Sequence, residues 1–339
     1  MLKKLCIVAI LLCGYHQVVS ANTLGFSQVQ VFDEVFYRPL DAVIWYPASG
    51  ANRGLRYLGN TPVFVGIKGV INAPVLLGKH PVVLLSHDYR ENWQSLSWLA
   101  KQFVQQGYLV VAVNHPGTSV FDHRSDVASQ WWERPEDLSR VLTWLEDMSK
   151  YSRYVDTESV VAIGHGLGGW TALQLVGAKF SSAQFEKSCQ SNPNQKACSF
   201  RRELGLGIDA PDSLRDSRIK AVISLDLFSA RGFTPESLKS IRVPVLMMKA
   251  GIYRNMTKQN EKYDYMINYV PSQYLHYQVI RQAQYFSFLE QCNVVTDQVL
   301  KKYFYYGKIA CRELGSVNRV DIHQLIYKKI KYFLKQELY

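Results

Sequence analysis

Six residues, Gly164-His165-Gly166-Leu167-Gly168-Gly169, constrain this chain more than any other stretch. The apolar run Val160-Val161-Ala162-Ile163 leads in and reads as a buried strand. The run Trp170-Thr171-Ala172-Leu173-Gln174-Leu175-Val176 leads out and reads as a helix. A strand that turns into a helix at one residue holds that residue at positive φ, which glycine adopts without strain. The apex is Gly166, which has no side chain and offers no nucleophile of its own.

The start of the chain has the pattern of a secretory signal. Lys3 and Lys4 precede an apolar stretch, Leu5 to Cys13, too short to span a bilayer, and Val19-Ser20-Ala21 is a small-residue cleavage site. Residues 1–21 are therefore expected to be a signal peptide cleaved near Ala21, giving a secreted or periplasmic protein. Leu12 stands before Cys13 where a lipid-anchor motif needs a small residue, so lipidation is not expected. No later stretch is apolar enough to cross a membrane. Residues 22–339 fit a single domain with a full core. The net charge of +11 is scattered, and the one small cluster, Lys328-Lys329-Ile330-Lys331, reads as a solvated helix face rather than a membrane contact. No motif points to nucleic acid, and none implies a cofactor.

Cys6 and Cys13 would leave with the signal, and Cys189, Cys198, Cys292 and Cys311 would remain. An even count in an oxidising compartment predicts two disulfides. Proximity favours Cys189–Cys198 with Cys292–Cys311, although three pairings are open. None of the four has zinc-site spacing, and no metal site is expected.

Strand and helix patterns alternate along the chain. Strands are expected at Asp41–Pro47, Pro81–Ser86, Tyr108–Val113, Val160–Ile163, Ile219–Leu225, Val243–Lys249 and Tyr274–Ile280. Helices are expected at Asn92–Gln106, at Pro135–Met148 and at Val320–Leu338. Residues 62–79 read as a hairpin or surface insertion. Residues 180–217 lose the pattern and read as an insertion or lid. The whole predicts an α/β fold, with a mostly parallel central sheet and helices on both faces.

Several segments in order resemble the α/β-hydrolases of the dienelactone-hydrolase and platelet-activating-factor acetylhydrolase type. They are Asp41-Ala42-Val43-Ile44-Trp45-Tyr46-Pro47, Leu85-Ser86-His87, Val113-Asn114-His115-Pro116-Gly117, the six-residue turn, Ser224-Leu225-Asp226 and Phe286-Ser287-Phe288-Leu289. The resemblance implies a serine at the turn, a histidine that activates it, an acid that orients the histidine, and two N–H groups for an oxyanion. In this sequence the serine position is Gly166. The histidine position, just before Phe286, matches Tyr285, with Gln284 the alternative; a phenol titrating near 10 is a poor base at neutral pH. Asp226 matches the acid and reads equally as a turn or cap residue. Leu167 keeps one oxyanion-hole N–H. Asp88, where relatives have a glycine-rich turn, would oppose a developing oxyanion unless Arg90 paired with it.

Other residues have plainer readings. His165, His276 and His323 read as structural histidines, and His115 as a turn determinant near the mouth of the site. Trp131-Trp132 reads as core or lid packing, with cleft lining the alternative. Tyr303-Phe304-Tyr305-Tyr306 reads as either a partner contact or buried packing. The resemblance therefore implies an exported pseudo-hydrolase kept for binding an ester- or lipid-like ligand or a protein partner. The alternative is an active carboxylic-ester or lipid hydrolase with a non-standard site, using water, Ser86, Ser119 or Tyr285.

Overall fold

A computed structural model describes residues 23–32, 38–50, 54–193, 196–211, 213–252, 256–294, 298–300, 307–314 and 317–338. The expected signal peptide and the aromatic run at 303–306 lie outside the described residues.

The strands are β1 (Thr23–Val31), β2 (Leu40–Ala48), β3 (Leu55–Leu58), β4 (Ile67–Ile71), β5 (His80–Ser86), β6 (Leu109–Asn114), β7 (Val155–His165), β8 (Ile219–Leu225), β9 (Val245–Ala250) and β10 (Leu275–Ile280). They form one ten-stranded sheet in the order β10-β9-β8-β7-β5-β6-β2-β1-β4-β3. From β10 across to β6 every pairing is parallel; β2 then pairs antiparallel with β6, and β1 antiparallel with β2. The parallel half is the part the continuous apolar runs predict, because strands covered on both faces alternate between two buried environments. Val82 and Leu84 of β5 join one core cluster, and Val83 and Leu85 join the other. Val160 and Ala162 of β7 divide in the same way from Val161 and Ile163.

The helices are α1 (Ser97–Val104), α2 (Ser125–Ala128), α3 (Glu133–Thr143), α4 (Leu167–Gln174), α5 (Ser182–Ser191), α6 (Lys196–Ser199), α7 (Pro235–Lys239), α8 (Met256–Tyr269) and α9 (Arg319–Glu337). On one face Leu138, Val141 and Leu142 of α3 pack with Trp170 and Leu173 of α4. On the other, Leu99 and Phe103 of α1 pack with Ile322, Ile326 and Phe333 of α9. No helix among the described residues is long and apolar enough to cross a membrane.

Three local readings are corrected. The stretch from Asn92 opens as a 3₁₀ turn, Trp93–Leu96, because the Asn92 side chain caps the Gln94 N–H at 2.8 Å; α1 follows. The helix expected from Pro135 starts at Glu133 and widens at Trp144–Met148 into a π turn. The hairpin expected within 62–79 uses β3, upstream of that range, and β4 joins it to the main sheet by pairing parallel with β1.

Residues 180–217 carry α5 and α6, linked by the disulfide Cys189–Cys198. Phe180, Phe185, Phe200 and Leu204 from this stretch are buried in the first core cluster. Trp131 is buried in the same cluster, with ring centroids 4.7 Å from Phe180 and 5.8 Å from Trp170, so it is core rather than cleft lining. The second disulfide is Cys292–Cys311.

Glu290 lies beside that second bridge. Its carboxylate accepts from Ser97 Oγ at 2.7 Å, its N–H donates to the Ser95 carbonyl at 2.7 Å, and its carbonyl accepts from Arg319 at 3.0 Å. It thus ties the start of α1 to the start of α9. Burial pushes its carboxyl up to about 7, from an ordinary value of 4.5, against the opposing pull of Ser97, the Gln291 N–H and Arg319. Between those two values the folded state holds the extra proton, so stability declines as pH rises from 4.5 to about 7 and stays lower above it. Glu290→Gln, which keeps an uncharged polar side chain, is expected to stabilise the fold at pH 8 by up to about 3 kcal/mol and to change little at pH 4.5. Urea denaturation of both proteins at the two pH values checks this; equal effects at both would refute it.

Candidate functional site

β7 ends at His165, and α4 begins at Leu167. Gly166 between them has φ +54° and ψ −113°, a conformation that strains any residue with a Cβ. Gly164 keeps the helix close, since a Cβ there would run into the Gly168 backbone. The predicted strand–turn–helix is therefore present, and its apex points at two other side chains.

The first is Asp88, in the loop after β5. Its Oδ1 accepts the Leu167 N–H at 2.7 Å. Its Oδ2 accepts the hydroxyl of Tyr285. A Cβ built on Gly166 would overlap both the Asp88 carboxylate and the Tyr285 hydroxyl. The space of an apical side chain is thus filled from two distant parts of the chain. The donor expected to face an oxyanion, Leu167 N–H, is engaged by an anion belonging to the protein. Arg90, whose pairing with Asp88 the sequence left open, reaches Glu203 at 2.6 Å and the Tyr89 hydroxyl at 3.2 Å.

Asp226 follows β8 with φ +43° and is fully buried. Its Oδ1 accepts from the Tyr263 hydroxyl at 2.6 Å, and its N–H donates to the Met248 carbonyl at 2.8 Å. His276 pairs with Glu337 at 2.9 Å near the surface. His323 stacks on Trp98 at 3.8 Å, and burial drives its pKa down to about 3. Both histidines have structural partners.

A network that sequence reasoning missed lies under the turn. Ser86 Oγ is 2.9 Å from His115 Nε2, and His115 Nδ1 is 2.9 Å from Asp137 Oδ2. His115 is therefore not at the mouth of a site; it is fully buried. Burial first, then the Arg134 charge, lowers its pKa to about 3. Burial alone would raise Asp137, but the His115 hydrogen bond and the Arg38 guanidinium hold it well below the usual carboxylate range. Arg38 Nε donates to Asp137 at 2.8 Å. Arg134 is buried as well. It donates to Thr118 Oγ1 at 2.6 Å, Thr171 Oγ1 at 3.1 Å, Ser86 Oγ at 3.2 Å and the His87 carbonyl. It thereby joins α3, α4 and the loops after β5 and β6. Ser, His and Asp stand here in the order of a nucleophilic relay, yet the serine is fully buried and already takes a hydrogen bond from Arg134. In the sequence, Arg134 and Asp137 look like ordinary charges at the start of an amphipathic helix.

No family model matches the chain. It aligns over 94% of its length with the solved structure of a ferulic acid esterase from Streptomyces cinnamoneus, covering 91% of that chain at a TM-score of 0.66 and 17% identity. The fold is that of the α/β-hydrolases. Among curated proteins, dipeptidyl-peptidase 5 of Arthroderma otae is 30% identical over 115 residues, which is 30% of this chain. A probable dipeptidyl-peptidase 5 of Aspergillus terreus is 39% identical over 99 residues, 27% of this chain. The matches span only 15% and 13% of the lengths of those relatives.

Within this hydrolase fold the buried ion network should dominate local stability. Asp137→Ala leaves Arg38, Arg140 and His115 without their common acceptor and is expected to cost about 3–5 kcal/mol. Ser86→Ala removes the His115 contact and one of the Arg134 hydrogen bonds, and should cost no more than about 1.5–3 kcal/mol. Chemical denaturation of the two variants checks the ranking; a reversal would remove Asp137 from the centre of the network.

Proposed function

We propose that this chain is an exported α/β-hydrolase-fold protein without ester-hydrolase activity, retained to bind an ester- or lipid-like ligand or a protein partner. The observation that carries the reading is the Asp88–Tyr285 pair in the apical space of Gly166. A hydrolase of this type needs an apical nucleophile, a base beside it, and free N–H groups facing the oxyanion. Here the apex is glycine, the residue in the base position is a phenol hydrogen-bonded to a carboxylate, and Leu167 N–H donates to that carboxylate. Asp226 would be the retained acid, with Tyr285 in place of the histidine it would orient. Two disulfides are consistent with an oxidising compartment, which supports export. Residues 180–217, in this reading, are an insertion that covers the ligand side of the sheet.

The second reading is an active hydrolase, and the Ser86–His115–Asp137 relay is the observation in its favour. It requires substrate to reach a serine with no exposed surface and to displace the Arg134 hydrogen bond. We therefore place it second.

The deciding experiment exposes the purified protein to a fluorophosphonate probe and to short- and long-chain acyl and feruloyl esters. No serine is expected to label, and no turnover above buffer is expected. Labelling mapped to Ser86 would establish the second reading. Thermal shift against lipids and esters separates a small ligand from a protein partner, because a ligand selective for the folded state raises the melting temperature. Gly166→Ser alone is expected to cost at least about 1–3 kcal/mol in backbone strain, before any overlap with Asp88 and Tyr285, and to gain no activity. Trace esterase activity is expected only when Asp88→Gly and Tyr285→His accompany it. Robust turnover by the single variant would show that the site still holds a working base.

A further inference from the structure

Behind the turn, three buried side chains converge. A ligand atom from each of Asp88, Glu91 and His165 can be chosen so that all three atoms lie within 4.8 Å of one another. The residues are 2%, 1% and 0% exposed. The loop that supplies the two acids folds back on itself: the Asp88 N–H donates to Glu91 Oε2 at 3.2 Å. His165 closes the cluster from the end of β7.

The histidine is aimed into the cluster without a hydrogen-bond partner there. Its Nε2 is 3.2 Å from the Tyr285 carbonyl oxygen. A carbonyl only accepts, so Nε2 carries a proton, and whenever the ring is neutral Nδ1 presents a lone pair. That Nδ1 is 3.6 Å from Glu91 Oε2, beyond hydrogen-bond range, and it has no hydrogen-bond partner among the described residues. Glu91 Oε1 also lacks one. Acceptors thus gather in a closed space, and each buried unsatisfied acceptor costs about 1–3 kcal/mol.

We propose that Asp88, Glu91 and His165 Nδ1 bind one divalent cation of the zinc class. One imidazole with two carboxylates is a donor set for zinc and its transition-metal neighbours; calcium and magnesium favour oxygen alone. An imidazole that donates its far N–H to a backbone carbonyl is the support that metal-bound histidines have. A dication balances two carboxylates that also attract the Arg134 charge. The position is closed to solvent, so the ion is structural: it pins the loop after β5 to the end of β7. The competing occupant is a proton on His165, which would make an ion pair with Glu91. The proposal holds whether or not the fold hydrolyses esters.

The test uses untagged protein. After loading with Zn²⁺ and dialysis, elemental analysis is expected to give one equivalent per chain. Dipicolinate should remove it and lower the melting temperature, and added Zn²⁺ should restore both. Glu91→Gln is expected to weaken Zn²⁺ binding by about tenfold or more, since loss of even an outer-shell partner of a metal ligand typically costs about that much. His276→Ala, which alters a half-buried histidine outside the cluster, should leave the stoichiometry at one. Loaded Co²⁺ should give a visible spectrum that changes in Glu91→Gln. Wild-type protein that is folded by circular dichroism yet takes up neither Zn²⁺ nor Co²⁺ overturns the proposal, and that arm decides even if Glu91→Gln does not fold. Unchanged affinity in a folded Glu91→Gln overturns it as well.

Discussion

The arrangement around the turn depends on where one carboxylate can go. Asp88 is almost fully buried, and burying an anion costs several kcal/mol unless donors meet it. Two donors do: the N–H at the start of α4 and the hydroxyl of Tyr285. Each is available only because of what Gly166 lacks. A side chain at the apex would fill the space of the carboxylate, and an imidazole in place of Tyr285 would bring a ring where a phenolic O–H now reaches. Glycine, aspartate and tyrosine at these three places are therefore one mutually dependent set.

Beneath this set lies a second frame. Arg134, His115 and Asp137 tie two helices to the loops after β5 and β6 through hydrogen bonds that never reach the apex. The frame fixes the strand ends and hence the turn, whatever side chain the turn presents. The sheet and its supporting ions determine the shape, and a handful of atoms at one edge determine the chemistry.

The parallel half of the sheet was legible because its signal is local. Runs such as Val82–Leu85 and Ile219–Leu225 are apolar on both faces, and only a strand covered on both sides needs that. The turn at Gly166 was legible for the same reason, since its geometry is written in adjacent glycines. Helix ends were less so: a capping asparagine at 92 and a π turn at 144–148 are decided by hydrogen bonds that composition does not reveal. The site was half legible. Motif position picked out Asp88, Gly166, Leu167 and Tyr285 one by one, but not that they touch, because residues 88, 166 and 285 meet only when the sheet closes. Arg134 left no signal, as a charge in a helix's first turn is ordinarily solvated. His115 was misplaced because its Pro-Gly neighbours advertise a turn at the surface.

The overlap at the turn also bears on how such a chain could change over generations. A serine arriving first at position 166 would collide with the Asp88 carboxylate and the Tyr285 hydroxyl. Loss of the aspartate first would strand a buried N–H and a phenol. Either step lowers fitness to fold before any benefit can accrue, so the present triplet behaves as a ratchet. Gaining a serine at this apex therefore requires exchanges at distant codons together.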